Sequence, residues 1–230
     1  MLDFELMKYC YGCGACVNAC PRSAIQMVQT MDGSCIPKIN QAQCINCGKC
    51  DQVCIHQHTD RYHRTIAGEG CYAAYELDKV ERKESASGGM FFLLAKEVLR
   101  QDGYVCGCVW NEKMDAVHIV SNKTIDIERM RNSKYVQSDI GRCLAEIREL
   151  LKTGKPVMFC GTPCQCAACQ AVTGNPENLL KVSLICEGTP TPGVWERYRD
   201  AKAKEYGEKI SAVNFRSKDP VGWSLPYYVI

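Results

Sequence analysis

Two runs of cysteine constrain this chain more than anything else in it. Cys10-Tyr-Gly-Cys13-Gly-Ala-Cys16-Val-Asn-Ala-Cys20-Pro21 is answered by Cys44-Ile-Asn-Cys47-Gly-Lys-Cys50-Asp-Gln-Val-Cys54, and both read C-x2-C-x2-C-x3-C. In this pattern three closely spaced thiolates curl around one corner of an iron–sulfur cube and the fourth reaches across to the other cube. The spacing therefore assigns Cys10, Cys13, Cys16 and Cys54 to one 4Fe-4S cluster, and Cys44, Cys47, Cys50 and Cys20 to a second. Gly12, Gly14 and Gly48 relieve the crowding imposed on the backbone, and Pro21 turns the chain away. Structural zinc usually needs only two C-x2-C pairs, and a disulfide framework expects an oxidising compartment, so both are weaker readings of two matching four-cysteine runs. Ile55 and His56 follow Cys54 where proline often stands, which bears on the local turn and leaves the ligand set complete.

Between the runs, Ser23 to Met27 and Cys35 to Ile39 are short, partly apolar pieces around Met31-Asp-Gly-Ser34, the pattern of two small strands and a turn. With an offset of about 34 residues from Cys10 to Cys44, this is the pseudo-symmetric layout of a bacterial-type ferredoxin, present in two copies and so not a solenoid. Residues 1–58 read as that module and 59–70 as a linker. His56, His58 and His63 could bind metal there, but a solvated linker is the better reading.

The 230 residues leave room for the module plus one ordinary domain of roughly 150 residues. Eighteen cysteines would suggest a secreted scaffold in a short chain, but the start, Met1-Leu-Asp-Phe-Glu-Leu-Met-Lys8, carries acids and no apolar signal region. A reduced, cytoplasmic protein is expected. No stretch approaches the 18 or more apolar residues of a membrane span, so any membrane link would run through a partner. The formal charge of +2 omits the clusters, each about −2 with its thiolates, so the loaded protein should be weakly acidic. A nucleic-acid footprint is absent.

From Cys71 the pattern changes to alternating strands and helices, giving an α+β chain whose second part, 71–230, is a mixed α/β domain with a partly parallel sheet. Cys71 to Glu76 reads as a strand, Phe91 to Leu99 as an amphipathic helix closed by Gly103, and Tyr104 to Trp110 with Ala116 to Val120 as a strand pair. A helix is expected near Asp139 to Leu151 with Asp139 as N-cap. Strand Val157 to Cys160, a Gly161-Thr-Pro163 turn, a helix to about Val172 and a buried strand Val182 to Cys186 form a strand–helix–strand unit, which makes that part of the sheet parallel. A helix from Pro192 to Tyr206 and strands near Ile210 to Phe215 and Trp223 to Ile230 follow. The final Leu225-Pro-Tyr-Tyr-Val-Ile230 is apolar and β-prone, as though the sequence broke off inside a domain and left an edge uncovered.

Three places in this second part suit a nucleotide. Ser85-Ala-Ser87-Gly88-Gly89-Met90 opens a helix with a hydroxyl cap candidate and two glycines, so backbone N–H groups can approach a phosphate closely. Thr162, Pro163 and Gln165 make a capping box directly after a strand, where ligands of open α/β sheets gather. Lys134-Tyr-Val-Gln-Ser138 combines a cation, an aromatic ring and two hydrogen-bonding side chains. Cys160, Cys164, Cys166, Cys169 and Cys186 could support a third metal site, but Cys166 and Cys169 fall on different helix faces and buried small apolar residues are the better reading. Cys35, Cys71, Cys106, Cys108 and Cys143 read the same way.

Taken in order, the twin cysteine runs, Ser-Ala-Ser-Gly-Gly at 85–89, Ser-Lys-Tyr-Val-Gln-Ser at 133–138, Gly-Thr-Pro-Cys-Gln at 161–165 and Ile-Cys-Glu-Gly at 185–188 resemble the coenzyme F420 hydrogenase/dehydrogenase beta-subunit family. The resemblance implies an FAD-dependent iron–sulfur oxidoreductase of anaerobic metabolism with two 4Fe-4S clusters. It also implies that Ser87, Gly88, Gly89, Lys134, Tyr135, Gln137, Ser138, Gly161, Thr162, Pro163, Cys164 and Gln165 line the flavin site. Implied partners are a redox protein such as ferredoxin or a hydrogenase or dehydrogenase subunit, and coenzyme F420 or a small organic substrate. The alternative is a polyferredoxin-like electron-transfer subunit without a substrate site. Cys166 and Cys169 stand where the family more often has apolar residues, and Glu187 where many members have His, so no catalytic residue is carried over.

Overall fold

A computed structural model describes residues 9–62, 70–219 and 227–229. His63, most of the expected linker, and the ends of the chain lie outside these residues.

The N-terminal module contains α1 (Ala15–Ala19), β1 (Ile25–Gln29), β2 (Cys35–Ile39) and α2 (Lys49–Gln52), then a 3-10 turn at Thr59–Tyr62. Strands β1 and β2 are antiparallel from Ile25↔Ile39 to Gln29↔Cys35. The internal repeat is visible in the backbone. Gly14 and Gly48 each stand just before a short helix at φ 71, a left-handed conformation that side chains resist, and each sits one residue after a cysteine of its run.

The second part holds α3 (Lys79–Lys83), α4 (Met90–Arg100), β3 (Tyr104–Trp110), β4 (Ala116–Ser121), α5 (Thr124–Met130), α6 (Cys143–Leu151), β5 (Val157–Gly161), α7 (Pro163–Thr173), β6 (Leu179–Ser183) and α8 (Pro192–Tyr206), with β7 (Asn214–Ser217) and β8 (Tyr227–Val229) as a separate antiparallel pair. The central sheet runs β4-β3-β5-β6, antiparallel between β3 and β4 and parallel through β3, β5 and β6.

Alternation along the strands divides the core into two layers. Val105, Val109, Met158 and Cys160 face Phe92, Ala95 and Val98 of α4 and Ile127 and Met130 of α5. Cys106, Val157 and Phe159 face Leu144, Ile147 and Leu151 of α6 and Ala168, Cys169 and Val172 of α7. Ala15 and Ile55 of the N-terminal module join this second layer. Trp195 of α8 stacks on Trp110 at 5.3 Å and donates through Nε1 to the Met114 carbonyl at 2.6 Å.

Several expected elements differ. Cys71–Glu76 is not a strand: Tyr72 is 89% exposed, and the segment meets the loop before α4 through Glu76 N–H to the Gly88 carbonyl (2.7 Å) instead of a sheet ladder. Asp139 does not cap α6. It bridges to Val117 at the sheet edge, and its Oδ1 accepts from Gly141 N at 2.8 Å, so the chain turns once more before the helix begins at Cys143. Strand β6 lies three residues earlier than Val182–Cys186, because its parallel register with β5 ends at Gly161↔Ser183; Ile185 beyond it is 99% exposed. The strand expected at Ile210–Phe215 is Asn214–Ser217, and only Tyr227–Val229 of the last one is described. Helices α3 and α5 are additions, the first capped by Asp78 Oδ1, which accepts from Val80 N and Glu81 N. Among the described residues, no helix is long and apolar enough to cross a membrane.

Candidate functional site

The two cysteine sets occupy different surroundings. Cys20, Cys44, Cys47 and Cys50 surround one cavity of about 180 Å³, walled by Ile25, Ile39 and Ile45 and bordered by Arg22 and Lys49. Cys20 sits at the C-terminal end of α1 and Cys50 within α2, so both short helices serve the same cavity. Ala24 N–H points at Cys20 Sγ (3.3 Å). Burial raises the Cys50 thiol, as does the neighbouring Asp51 carboxylate.

Cys10, Cys13, Cys16 and Cys54 form the inner set. Burial is the main force raising the Cys10, Cys13 and Cys16 thiols, with Cys16 pushed up to about 12, and Cys54 adds to the repulsion felt by Cys10 and Cys16. Gly12 N–H lies 3.4 Å from Cys10 Sγ. Burial opposes charge on the Cys10, Cys13 and Cys16 thiols, and a bound cation such as iron offsets that opposition when it takes thiolate ligands. Backbone N–H groups aimed at the sulfurs suit the negative charge of a thiolate-bound cluster.

Among the described residues, no three His, Cys, Asp or Glu side chains converge on a single ion position. A lone zinc draws its thiolates to about 2.3 Å, whereas a cube spreads them over its corners. In the second part, Cys160, Cys166 and Cys169 are buried, Cys164 is half-buried and Cys186 is exposed. Cys106 and Cys143 are core residues, and Cys71 is exposed.

A larger cavity, about 830 Å³, opens where the parallel strands end. Its walls are the Ser85–Phe92 segment, the Arg131–Ser138 loop, the Gly161–Gln165 turn and the chain leaving β6. Every residue expected at a flavin site lines it except Tyr135. The Tyr135 ring instead meets Phe215 edge-on at 5.7 Å, and its hydroxyl accepts from Arg216 Nη1 at 3.0 Å. Cys10, Tyr11, Ser34 and Cys35 of the N-terminal module complete the wall.

Two helix starts face this space. At α7, Gln165 Oε1 accepts from Thr162 N (3.0 Å) in the expected capping box, while Gln165 Nε2 donates to Ser138 Oγ (2.9 Å) and ties the turn to the Arg131–Ser138 loop. At α4 the cap is Gly89, at φ 86 and without a side-chain cap bond, instead of a serine hydroxyl. A Cβ at Gly89 would stand 2.9 Å from Glu76 Cβ.

Lys134 lines the cavity, but its ammonium is used within the fold. It donates to the carbonyls of Arg129 (2.9 Å), Arg131 (2.7 Å) and Asn132 (3.3 Å) at the end of α5. Burial lowers it to about 8.

Two wall residues were not picked out from the sequence. Buried Arg131 lies 4.2 Å over the Phe92 ring, pairs with Glu128 (2.8 Å) and Glu81 (3.1 Å), and donates to Ser85 Oγ (3.2 Å). It fixes the loop before α4 from a position with no local motif. His118, 6% exposed, places Nε2 3.1 Å from the Cys160 carbonyl; a carbonyl only accepts, so Nε2 carries the proton. Its Nδ1 has no hydrogen-bond partner among the described residues, and burial holds the ring down to about 4. The inward turn of Ala116 and His118 along β4 was the available signal.

Residues 9–58 match the family model described as a 4Fe-4S dicluster domain. No curated protein matches the chain. The N-terminal module is thus an iron–sulfur domain of the electron-transfer type, attached to a mixed α/β domain.

Proposed function

We propose that this chain is an iron–sulfur flavoprotein oxidoreductase. In this reading Cys10, Cys13, Cys16 and Cys54 hold one 4Fe-4S cluster, Cys20, Cys44, Cys47 and Cys50 hold the other, and the larger cavity takes FAD. The one-electron partner is a redox protein such as ferredoxin or a hydrogenase or dehydrogenase subunit, and the two-electron partner is coenzyme F420 or a small organic molecule.

The observation that carries this reading is the shared wall: Cys10 and Tyr11 line the same cavity as Ser87–Gly89 and Gly161–Gln165. About 830 Å³ lies within the roughly 300–1,000 Å³ of ordinary ligand pockets. The starts of α4 and α7, each opening a helix of 11 residues, present backbone N–H groups to it, as a pyrophosphate requires. Bound clusters exchange single electrons and a bound flavin exchanges two with a hydride, so the pair converts one kind of transfer into the other. The chain contributes the thiolates, N–H groups near Cys10 and Cys20, and a cavity next to the inner set.

Protein purified anaerobically should contain about eight iron and eight acid-labile sulfide per chain, and should bind FAD saturably under reducing conditions. An iron-free, zinc-loaded anaerobic preparation would sink the cluster assignment. Absence of saturable FAD or FMN binding would leave the electron-transfer subunit as the better reading. The engagement of Lys134 with backbone carbonyls favours that second reading, since it removes one cation from the ligand.

A further inference from the structure

We propose that Gln137, a residue of the second part, sets the reduction potential of the inner cluster, that of Cys10, Cys13, Cys16 and Cys54, by holding the Tyr11–Gly12 peptide in place behind Cys10. This rests on the cluster reading above and is independent of what fills the larger cavity.

The geometry is a relay through one peptide unit. Gln137 Nε2 donates to the Tyr11 carbonyl at 3.0 Å, and the N–H at the other end of that peptide, belonging to Gly12, lies 3.4 Å from Cys10 Sγ. An amide that accepts a hydrogen bond at its oxygen becomes a stronger donor at its nitrogen. The Gln137 bond therefore both orients the Gly12 N–H and strengthens it toward the sulfur. The Gly12 contact favours negative charge there, opposing the burial that raises the Cys10 thiol. Gln137 is itself held. Its backbone N–H donates to the Pro190 carbonyl at 3.1 Å, and its neighbours Val136 and Ser138 are buried, with Ser138 Oγ accepting from Gln165 Nε2.

Gly12 bears the imprint of this contact. At φ 63 its backbone is left-handed, and a Cβ there would collide with the Gln137 amide. The second cysteine run supplies a comparison. Asn46 stands before Cys47 as Gly12 stands before Cys13, and it takes the same left-handed turn at φ 52. Asparagine tolerates that conformation, so the turn alone does not demand glycine; the close approach of Gln137 does. Among the described residues, no side chain donates to the carbonyl of Ile45, the counterpart of Tyr11. The support is thus specific to the inner set.

Hydrogen bonds to the sulfurs help set a cluster's potential, and an N–H donor raises it by stabilising the added negative charge of the reduced form. Gln137 touches no sulfur and acts as a positioning residue through the peptide. It also lines the larger cavity, so one side chain belongs both to that wall and to the tuning of the inner cluster.

The test is a redox titration of the anaerobically purified, iron-replete protein with dissolved mediators, the reduced clusters being read by low-temperature EPR. Each reduction adds one electron from the mediator to a cluster, and no proton need move. Gln137→Met keeps the length of the side chain and removes the donor. The equilibrium constant for reducing one of the two clusters should fall threefold or more, tenfold corresponding to about 59 mV for one electron, while the other stays within twofold. The same replacement at Gln170 of α7, whose amide meets Lys181 of β6, should leave both within twofold. Wild-type protein without iron defeats the cluster reading and this proposal together. Iron-replete Gln137→Met with a smaller change, with both clusters shifted alike, or with a shift matched by Gln170→Met overturns the role of Gln137 and leaves the cluster reading standing. A Gln137→Met preparation that loses iron is replaced by Gln137→Asn, which keeps the amide but is one carbon too short for the relay, with the same threefold fall expected. Loss of iron in both variants makes Gln137 part of the scaffold and overturns the proposal.

Discussion

The side-chain amide of Asn18 donates to the Gly141 carbonyl at 2.9 Å, across 123 residues of sequence. The same side chain accepts from Ala145 N at 3.0 Å and donates to Gly14 O at 2.9 Å, so one buried residue of α1 joins the N-terminal module to the start of α6. Arg142 Nη1 donating to Val17 O (2.7 Å) and Gln137 Nε2 donating to Tyr11 O (3.0 Å) extend this seam. Replacing Asn18 by Leu keeps the volume and removes three hydrogen bonds, each worth about 0.5–1.5 kcal/mol net, while the Gly14 carbonyl and Ala145 N–H keep their backbone partners, Asn18 N and the Arg142 carbonyl. Anaerobic urea unfolding of Asn18→Leu should show a loss of about 1.5–4.5 kcal/mol, and an unchanged midpoint would mean that the seam contributes little.

Gly89→Val tests the loop before α4. A β-branched residue is poorly suited to φ 86, and its Cβ would meet Glu76 Cβ at 2.9 Å. If the larger cavity takes FAD as proposed, the variant should lose flavin retention while its iron stays near the value of about eight expected for two cubes. Joint loss of iron and flavin would instead mark general unfolding.

Lys134→Met removes the ammonium from three carbonyls at the end of α5. A charge-assisted bond contributes about 1–3 kcal/mol, and stability measured by denaturant at neutral pH should fall by at least that much. Unchanged stability would return Lys134 to the role of a ligand cation.

His118 makes stability depend on acid. Its folded form titrates at about 4, below the ordinary histidine value, because burial disfavours the charged ring. The unfolded chain therefore binds a proton between about pH 6.5 and about 4 that the folded chain refuses, and stability falls as pH drops through that window. The full effect is roughly 3 kcal/mol. The difference in unfolding free energy between wild type and His118→Gln should shift by about 2.4 kcal/mol between pH 7 and pH 4.5; a difference that does not move with pH would show that the ring titrates normally.

Much of this arrangement was legible because its chemistry is local. The twin C-x2-C-x2-C-x3-C runs mark residues 9–58 as an iron–sulfur segment from spacing alone, and the Thr162-Pro-Cys-Gln165 cap follows from neighbours three residues apart. What escaped depends on distant partners. Cys71–Glu76 has strand composition but no strand beside it, and the side chain of Asp139 is taken by Gly141 because the backbone of Asp139 is already paired at the sheet edge. Lys134 looked available to a phosphate only until the end of α5 was placed next to it. Tyr135, within the same motif, turns to β7, whose position no local pattern reveals.

The larger cavity also has mixed parentage. Its wall takes Cys10, Tyr11, Ser34 and Cys35 from the N-terminal module and the rest from the second part, and the same module lends Ala15 and Ile55 to the core layer of α6 and α7. The cavity therefore exists only while the two parts are seated on each other, and any change that loosens the seam reshapes its wall as well as its neighbours.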